Sequence, residues 1–399
     1  IINPFDQLPN ETDVPLRYWT LCRVLASQGH TVTWWTSNFS HLTKAKRLPC
    51  ETTDGFSIRL IQTPPYHRNI SFARLRNHQQ FAKNFAEDSK SAIETGKLDP
   101  PDRILISIPP LGLIESCISL RKRYGSQIIV DIQDAWPETF YRAFPKFIPN
   151  IVRSMLLGKQ HRNASHAYLH ADRISAVGQT YLDLAVQYGA KASQHLCYLG
   201  AEIRKDTTIP NYKQTLPLEI VYLGAMEKGY DLETVIELAA LWKKTHRSPL
   251  RLHMAGSGTQ LKKLRKLAQS LALSERDVIW HGYLQSEQIH KLLSRVHLGI
   301  VPNRSNSLVA CPNKACVYAA AGLPIISCLE GELEELLKKW RAGTQYTEGE
   351  VDSLLSALNE YINYVELVSQ IGANAHKMAT ALFDREVSYP KLAHFIVSE

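Results

Sequence analysis

Apolar positions along this 399-residue chain follow two rhythms from end to end. Short continuous apolar or β-branched runs read as buried strands, and stretches whose apolar residues return every three or four positions read as amphipathic helices. The first rhythm predicts strands over 1–3 (the tail of one), 31–35, 57–61, 103–108, 128–131, 173–176 and 195–198, then over 219–223, 251–255, 278–281, 298–301 and 325–327. The second predicts helices over 16–28, 73–95 and 148–170, then over 232–244, 260–271, 286–295, 314–321 and 332–339. The 260–271 helix shows the logic. Leu261, Leu264, Leu267, Ala268 and Leu271 form one stripe, while Lys262, Lys263, Arg265 and Lys266 face away, as a solvated face does. Alternation of this kind predicts an α/β fold of parallel sheets covered by helices.

The pattern lapses once, over 203–217, a polar stretch holding Pro210 and Pro217. This predicts a linker between an N-terminal Rossmann-like domain (1–202) and a C-terminal one (218–374), each doubly wound, with a cleft between strand ends. A last helix around 375–399 is expected to pack back on the first domain. At 44% hydrophobic residues the chain can bury two cores. Its net charge of +8 is uneven: residues 1–202 hold 23 basic and 17 acidic side chains, residues 203–399 hold 23 and 21. Such a surplus suits an anionic partner. It comes without a basic-aromatic module, which disfavours nucleic acid.

Seven scattered cysteines form no disulfide framework, and no second Cys/His pair stands at zinc spacing, so no metal is expected. Reduced, buried cysteines suit the cytoplasm. No apolar run reaches the ~18–20 residues of a membrane span. The sequence opens on Ile1-Ile2-Asn3 without Met, as though inside a strand, so a few native residues are expected to be missing.

The most informative stretch is Cys311-Pro312-Asn313-Lys314-Ala315-Cys316, continuing through Ala319-Ala320-Ala321-Gly322-Leu323-Pro324 into Ile325-Ile326-Ser327. It reads as loop, small-residue helix, turn and buried strand. A helix N-terminus of this kind favours phosphate through its unpaired N–H groups and dipole, and Lys314 adds a full charge. Tight packing of a small-residue helix on a sheet is the other reading of the same residues.

Other pieces follow in a telling order: Gln28-Gly29-His30-Thr31, Asp131-Ile132-Gln133-Asp134-Ala135-Trp136-Pro137-Glu138, Ala171-Asp172-Arg173-Ile174, Tyr222-Leu223-Gly224, Gly256-Ser257-Gly258 and His281-Gly282-Tyr283. Together with 312–324 they resemble the retaining GT-B glycosyltransferases of family 4, closest in character to bacterial enzymes of surface polysaccharides and lipid-linked glycans. The resemblance spans nearly the whole chain. It implies two facing Rossmann-like domains and transfer of a sugar from a nucleoside-diphosphate donor, without a metal cofactor, to a glycan or polyprenyl-linked acceptor. Lys228 and Lys314 are implied to meet the diphosphate, with Arg304 as a further cation and Asn313 opening the helix. Gly224, Gly256, Ser257 and Gly258 are implied to admit the nucleotide to the backbone. His281, Gly282 and Tyr283 are implied to cradle the base, and Asp134 to stand on the acceptor side.

The chain also departs from that pattern. Val309 and Val317 stand where relatives carry two glutamates, Gln133 where many carry His or Arg, and the segment after the first strand has no glycine. There Glu11 or Asp13 is left as a possible acceptor contact, beside the plainer reading of a surface loop. A catalytically weak relative that binds nucleotide or glycan as an assembly partner is the alternative these departures sustain; nothing favours a sugar-nucleotide epimerase. Two mixed aromatic, aliphatic and basic stretches, 70–76 and 141–153, suit peripheral docking on anionic lipid at the inner face of the cell membrane, as well as ordinary inward packing.

Overall fold

The computed structural model describes residues 1–52, 54–68, 71–144, 147–204, 217–246, 248–363 and 365–398. They form two compact units, one of residues 1–197 with 387–399 and the other of residues 198–386. Most of the expected linker, residues 205–216, lies outside the described residues.

In unit 1 every strand is parallel: β1 (Thr33–Ser37), β2 (Ser57–Ile61), β3 (Arg103–Ile108), β4 (Gln127–Ile132), β5 (Arg173–Ala176) and β6 (Ser193–Leu196). β1 pairs with β2, and β3 to β6 pair in sequence order. The opening residues join the two ladders, because Ile2 bridges to both Trp35 and Ile106. The helices are α1 (Arg17–Ser27), α2 (Phe72–Glu94), α3 (Leu113–Tyr124), α4 (Asn150–Leu156), α5 (Gly158–Leu169) and α6 (Gln179–Gln187). The single helix expected over 148–170 is broken at Leu157, which is buried while no residue of α4 is. Keeping Leu157 in the core and the apolar side chains of α4 outside it requires two axes rather than one.

Unit 2 has six parallel strands: β7 (Leu218–Leu223), β8 (Leu250–Ala255), β9 (Val278–Gly282), β10 (Leu298–Val301), β11 (Ile325–Ser327) and β12 (Gly343–Gln345), in the spatial order β12-β11-β10-β7-β8-β9. The order reverses between β7 and β10, and ligands bind outside the strand ends of such sheets at that switch. Its helices are α7 (Leu232–Thr245), α8 (Leu261–Ser270), α9 (Ser286–Leu293), α10 (Asn313–Ala320), α11 (Glu332–Trp340), α12 (Val351–Asn363) and α13 (Val365–Leu382). β12 is an edge strand of Gly, Thr and Gln, with no apolar run to announce it. The expected helix over 375–399 is divided: α13 stays in unit 2, and α14 (Arg385–Val397) sends Tyr389, Leu392, Ala393 and Ile396 into the core of unit 1 beside Tyr18, Leu21 and Trp34.

One buried ion pair ties unit 1 together. Asp131, at the end of β4, accepts from Arg17 Nε (2.9 Å) and Nη2 (2.8 Å), Tyr18 Oη (2.6 Å), Ser175 Oγ (2.6 Å) and Gln133 Nε2 (2.6 Å). Arg17 also donates to the Cys197 carbonyl at 2.8 Å and lies over the Tyr389 ring. Together they tie α1, β4, β5, the end of β6 and α14 to one carboxylate. Although burial alone would raise it, the Arg17 charge and these donors hold the Asp131 carboxyl below its ordinary value. Its folded pKa lies below the unfolded one, so its contribution is present above the ordinary carboxylate pKa and is lost as pH falls through the folded one. Asp131→Ala leaves the buried Arg17 charge without its carboxylate counter-ion. We expect a loss of about 3–5 kcal/mol in urea unfolding at pH 7; a loss under 1 kcal/mol would deny the pair this role.

Candidate active site

The switch point of unit 2 is built around Lys314. α10 begins at Asn313 behind the N-cap Pro312, and no side chain caps it. Pro312 fixes the entry, and the small residues Ala315, Ala319 and Ala320 bury the helix against the sheet. From this first turn the Lys314 side chain runs inward. Its Nζ is buried and makes no hydrogen bond among the described residues. It sits 4.3 Å from the ring centroid of Tyr222, on β7, and 4.1 Å from that of Tyr230, in the loop after β7. Two aromatic faces attract an ammonium but do not replace its hydration. Desolvation therefore drives the Lys314 pKa down to about 7.

The glycines make room for this. Gly224 holds φ +137°, and a Cβ there would lie 3.3 Å from Lys314 Nζ. Gly256 is required by backbone contact: its Cβ would lie 1.9 Å from the Gly224 carbonyl oxygen. Its N–H donates to the Gly282 carbonyl at 2.6 Å, so the loops after β7, β8 and β9 form one backbone layer. Gly258 is packed against Met226 in the same way, and the Ser257 carbonyl accepts from the Met226 N–H. Ser257, Asn313 and Tyr283 are exposed, the last at 71%. The second buried polar atom without a hydrogen bond here is Asn303 Oδ1, whose backbone bridges to Tyr230.

Lys228 is exposed in the loop after β7, and its carbonyl accepts from Arg304 Nε at 3.2 Å. Glu227 clamps this loop to the next by accepting from the Thr259 N–H and hydroxyl. Arg304 is engaged by three carboxylates, Glu348 at 2.7 Å, Glu233 at 3.3 Å and Asp231 at 3.6 Å. Its charge is already spent inside unit 2, so a phosphate would have to displace these partners. The His281 ring shares a hydrogen bond of 2.9 Å with His253 and stacks on it. That leaves the backbone rather than the imidazole of 281–283 to meet a base. Burial pushes both imidazoles down, His253 to about 4.

In unit 1, the Asp134 carboxylate accepts from two side chains, Trp136 Nε1 and Thr139 Oγ1, both at 3.1 Å, while the 3₁₀ turn Glu138–Ala143 begins behind Pro137 with no side-chain cap. Gln133 is bound to Asp131. Glu11 pairs with Arg47 at 3.1 Å. The sequence reasoning did not single out Tyr230, nor Tyr222 as a wall for Lys314. A tyrosine immediately before the strand-end Leu223-Gly224 was the available signal.

Several solved structures share this architecture along the chain. Sucrose-phosphate synthase from Thermosynechococcus elongatus aligns with a TM-score of 0.70 at 16% identity, over 95% of this chain and 91% of that one. Anabaena HepE in complex with UDP aligns at 0.65 and 15% identity over 100% of both chains. WaaG, a glycosyltransferase involved in lipopolysaccharide biosynthesis, aligns at 0.63 and 13% identity, also over 100% of both. The fold is GT-B. Residues 205–378, less than half of the chain and within the unit that holds Lys314, match the family model described as glycosyl transferases group 1. Among curated proteins none matches it in sequence.

The depressed pKa of Lys314 has a measurable consequence. Between about 7 and the ordinary lysine value of 10.5 the unfolded chain holds a proton that the folded chain does not. Stability of the ligand-free protein from this group therefore rises with pH across that window. Urea unfolding of the wild type and Lys314→Met at pH 7, 8 and 9 should show the wild type gaining relative to the variant. Parallel pH profiles would mean an ordinary, solvated lysine.

Proposed function

We propose that the chain is a retaining glycosyltransferase of family 4 that moves a hexose or amino sugar from a nucleoside-diphosphate donor to a growing surface polysaccharide or lipid-linked glycan. The observation that carries this reading is the Lys314 ammonium, buried without a hydrogen bond at the uncapped start of α10. A diphosphate there supplies the acceptor oxygens that the protein withholds. As the glycosidic bond to the donor breaks, negative charge grows on the leaving phosphate. Lys314 and the first N–H groups of α10 meet that charge in a site with little water to screen them. Lys228, exposed on the neighbouring loop, adds a weaker, screened attraction. No metal is needed for this step, since the cation is a side chain. UDP is the first nucleotide to test, because HepE, which shares the fold, is seen with UDP.

Val309, at 37% exposure, and Val317 offer no acceptor for a sugar hydroxyl. They favour the second reading, a GT-B protein that binds nucleotide or glycan as an assembly partner without turnover. Release of free sugar from UDP-glucose, UDP-galactose or a UDP-amino sugar separates the two. On the transferase reading, Lys314→Ala lowers that rate by roughly 10²–10³ and Lys228→Ala by less. Nucleotide binding without release of sugar would move the assignment to the binding-only protein.

No helix among the described residues is long and apolar enough to cross a membrane. Peripheral attachment at the inner membrane face draws its support from α4. None of its residues is buried, and Ile151, Met155 and Leu156 are exposed at 73%, 77% and 63%, with Phe147 just before them at 85%. Residues 139–171 contain five Lys or Arg and no Asp or Glu. In the other stretch Phe72 is exposed at 81%; Ile70, Pro145 and Lys146 lie outside the described residues. Apolar side chains among cations suit an anionic lipid surface. The protein should float with phosphatidylglycerol vesicles and not with phosphatidylcholine vesicles, and Ile151→Ser with Met155→Ser should abolish this. Flotation indifferent to lipid charge or to the double substitution would remove the attachment.

A further inference from the structure

The spacing of the cysteines predicts no metal, yet a different spacing in unit 1 sets two imidazoles side by side. In His166-Ala167-Tyr168-Leu169-His170 the histidines stand four residues apart, hence on one face of a helix. Ala167 and Tyr168 go into the core, which leaves both imidazoles half-buried at its rim. His166 lies in the last turn of α5, and His170 is the C-cap. Their ring centroids are 4.1 Å apart, with the ring planes at 69°.

Hydrogen bonds fix the proton on each ring. His166 Nδ1 lies 2.8 Å from Glu115 Oε1, on α3, and His170 Nδ1 lies 3.0 Å from the His166 carbonyl oxygen. An ionised carboxylate and a carbonyl only accept, so each Nδ1 carries the proton and donates it. In the neutral ring the lone pair is then on Nε2, the usual metal-binding atom. Neither Nε2 makes a hydrogen bond among the described residues. An imidazole whose other N–H is held by a carboxylate or a carbonyl is oriented and made more basic as a metal ligand. The field agrees, since the last carbonyls of α5 favour a cation at this end of the helix. Arg121, which donates to the His170 carbonyl at 2.8 Å, has its charge paired with Asp172. With the side chains of His166 and Glu115 exposed at 38% and 66%, an ion reaches the rings from solvent.

We propose that His166 and His170 form a surface site for a borderline divalent transition ion, Zn²⁺, Ni²⁺ or Cu²⁺: the two Nε2 atoms bind it, water completes its shell, and Glu115 orients His166 from α3. Among the described residues no group of three or more His, Cys, Asp or Glu is placed to hold a metal, so the protein supplies two ligands here and no more. Through His166 and Glu115 a bound ion fastens the last turn of α5 to α3 and stabilises unit 1. Lys314 belongs to the other unit, and the site does not rest on the transferase reading.

Calorimetry and Cu²⁺ electron paramagnetic resonance on the full, untagged, EDTA-stripped chain test it, with Zn²⁺, Ni²⁺, Cu²⁺ and Mg²⁺ as probes. One equivalent of Zn²⁺ or Ni²⁺ should bind and raise the melting temperature, whereas Mg²⁺, which prefers oxygen ligands, should do neither. The Cu²⁺ spectrum should carry splitting from two imidazole nitrogens. His166→Ala and His170→Ala should each weaken binding by at least about tenfold and remove one nitrogen from that spectrum. Glu115→Gln should weaken it by about tenfold while keeping both nitrogens, as an orienting residue does. Circular dichroism and melting without metal report folding, and Glu115→Gln, at an exposed position, keeps the test valid where a histidine variant fails to fold. No binding, binding of Mg²⁺ as tight as that of Zn²⁺, a Cu²⁺ spectrum without two nitrogens, or indifference to His166, His170 or Glu115 would each overturn the site. Failure of UDP to bind, by contrast, would refute the donor reading and leave this one standing.

Discussion

A lysine ammonium removed from water with no acceptor in reach is costly, and the site of unit 2 is organised around that cost. Two tyrosine rings lower it without cancelling it. Gly224 and Gly256 let the backbone close over the side chain, and Glu227, Thr259 and the Gly282 carbonyl hold the closing loops in place. Arg304 braces the loop after β7 through the Lys228 carbonyl and Asp231, and pairs with Glu233 and Glu348 as well. With a pKa near 7 the position is only partly charged at neutral pH when free, and a bound anion would raise it.

The two units treat buried charge in opposite ways. In unit 1, Asp131 is compensated by a bidentate arginine and three further donors, and the result is a rigid joint between α1, the sheet and α14. In unit 2 the buried charge is uncompensated by design of its surroundings. Breaking a compensated pair costs stability, whereas an uncompensated cation costs stability until a ligand completes it. The same physics assigns the first to folding and the second to binding.

Much of this was legible in the chain. The apolar rhythm specified strands 57–61, 103–108, 173–176, 298–301 and 325–327 to the residue; 298–301 is the plainest, a continuous apolar run buried throughout, as a parallel strand covered on both faces requires. Lys314 at a helix start and Gly224 at a strand end were legible as site candidates, whereas their contact with each other was not. The break at Leu157 was not, because an apolar face turned to solvent has the same period as one turned to the core. Nor were the partners of Arg304, His281 and Arg17. Arg17 and Asp131 are 114 residues apart, and nothing local marks either as half of a pair. Nor does the sequence announce that the Trp136 and Thr139 side chains both donate to Asp134.

The central claim is that Lys314 is completed by the diphosphate of a nucleotide. Calorimetry of UDP binding at pH 8 in buffers of different ionisation enthalpy tests it most directly. Lys314, with its pKa near 7 in the free protein, is largely unprotonated at that pH. A bound diphosphate raises it, so binding takes up close to one proton, and affinity falls as pH rises above about 7. Lys314→Met should lose both the uptake and most of the affinity. Tight binding with no proton uptake, unchanged in Lys314→Met, would contradict the account.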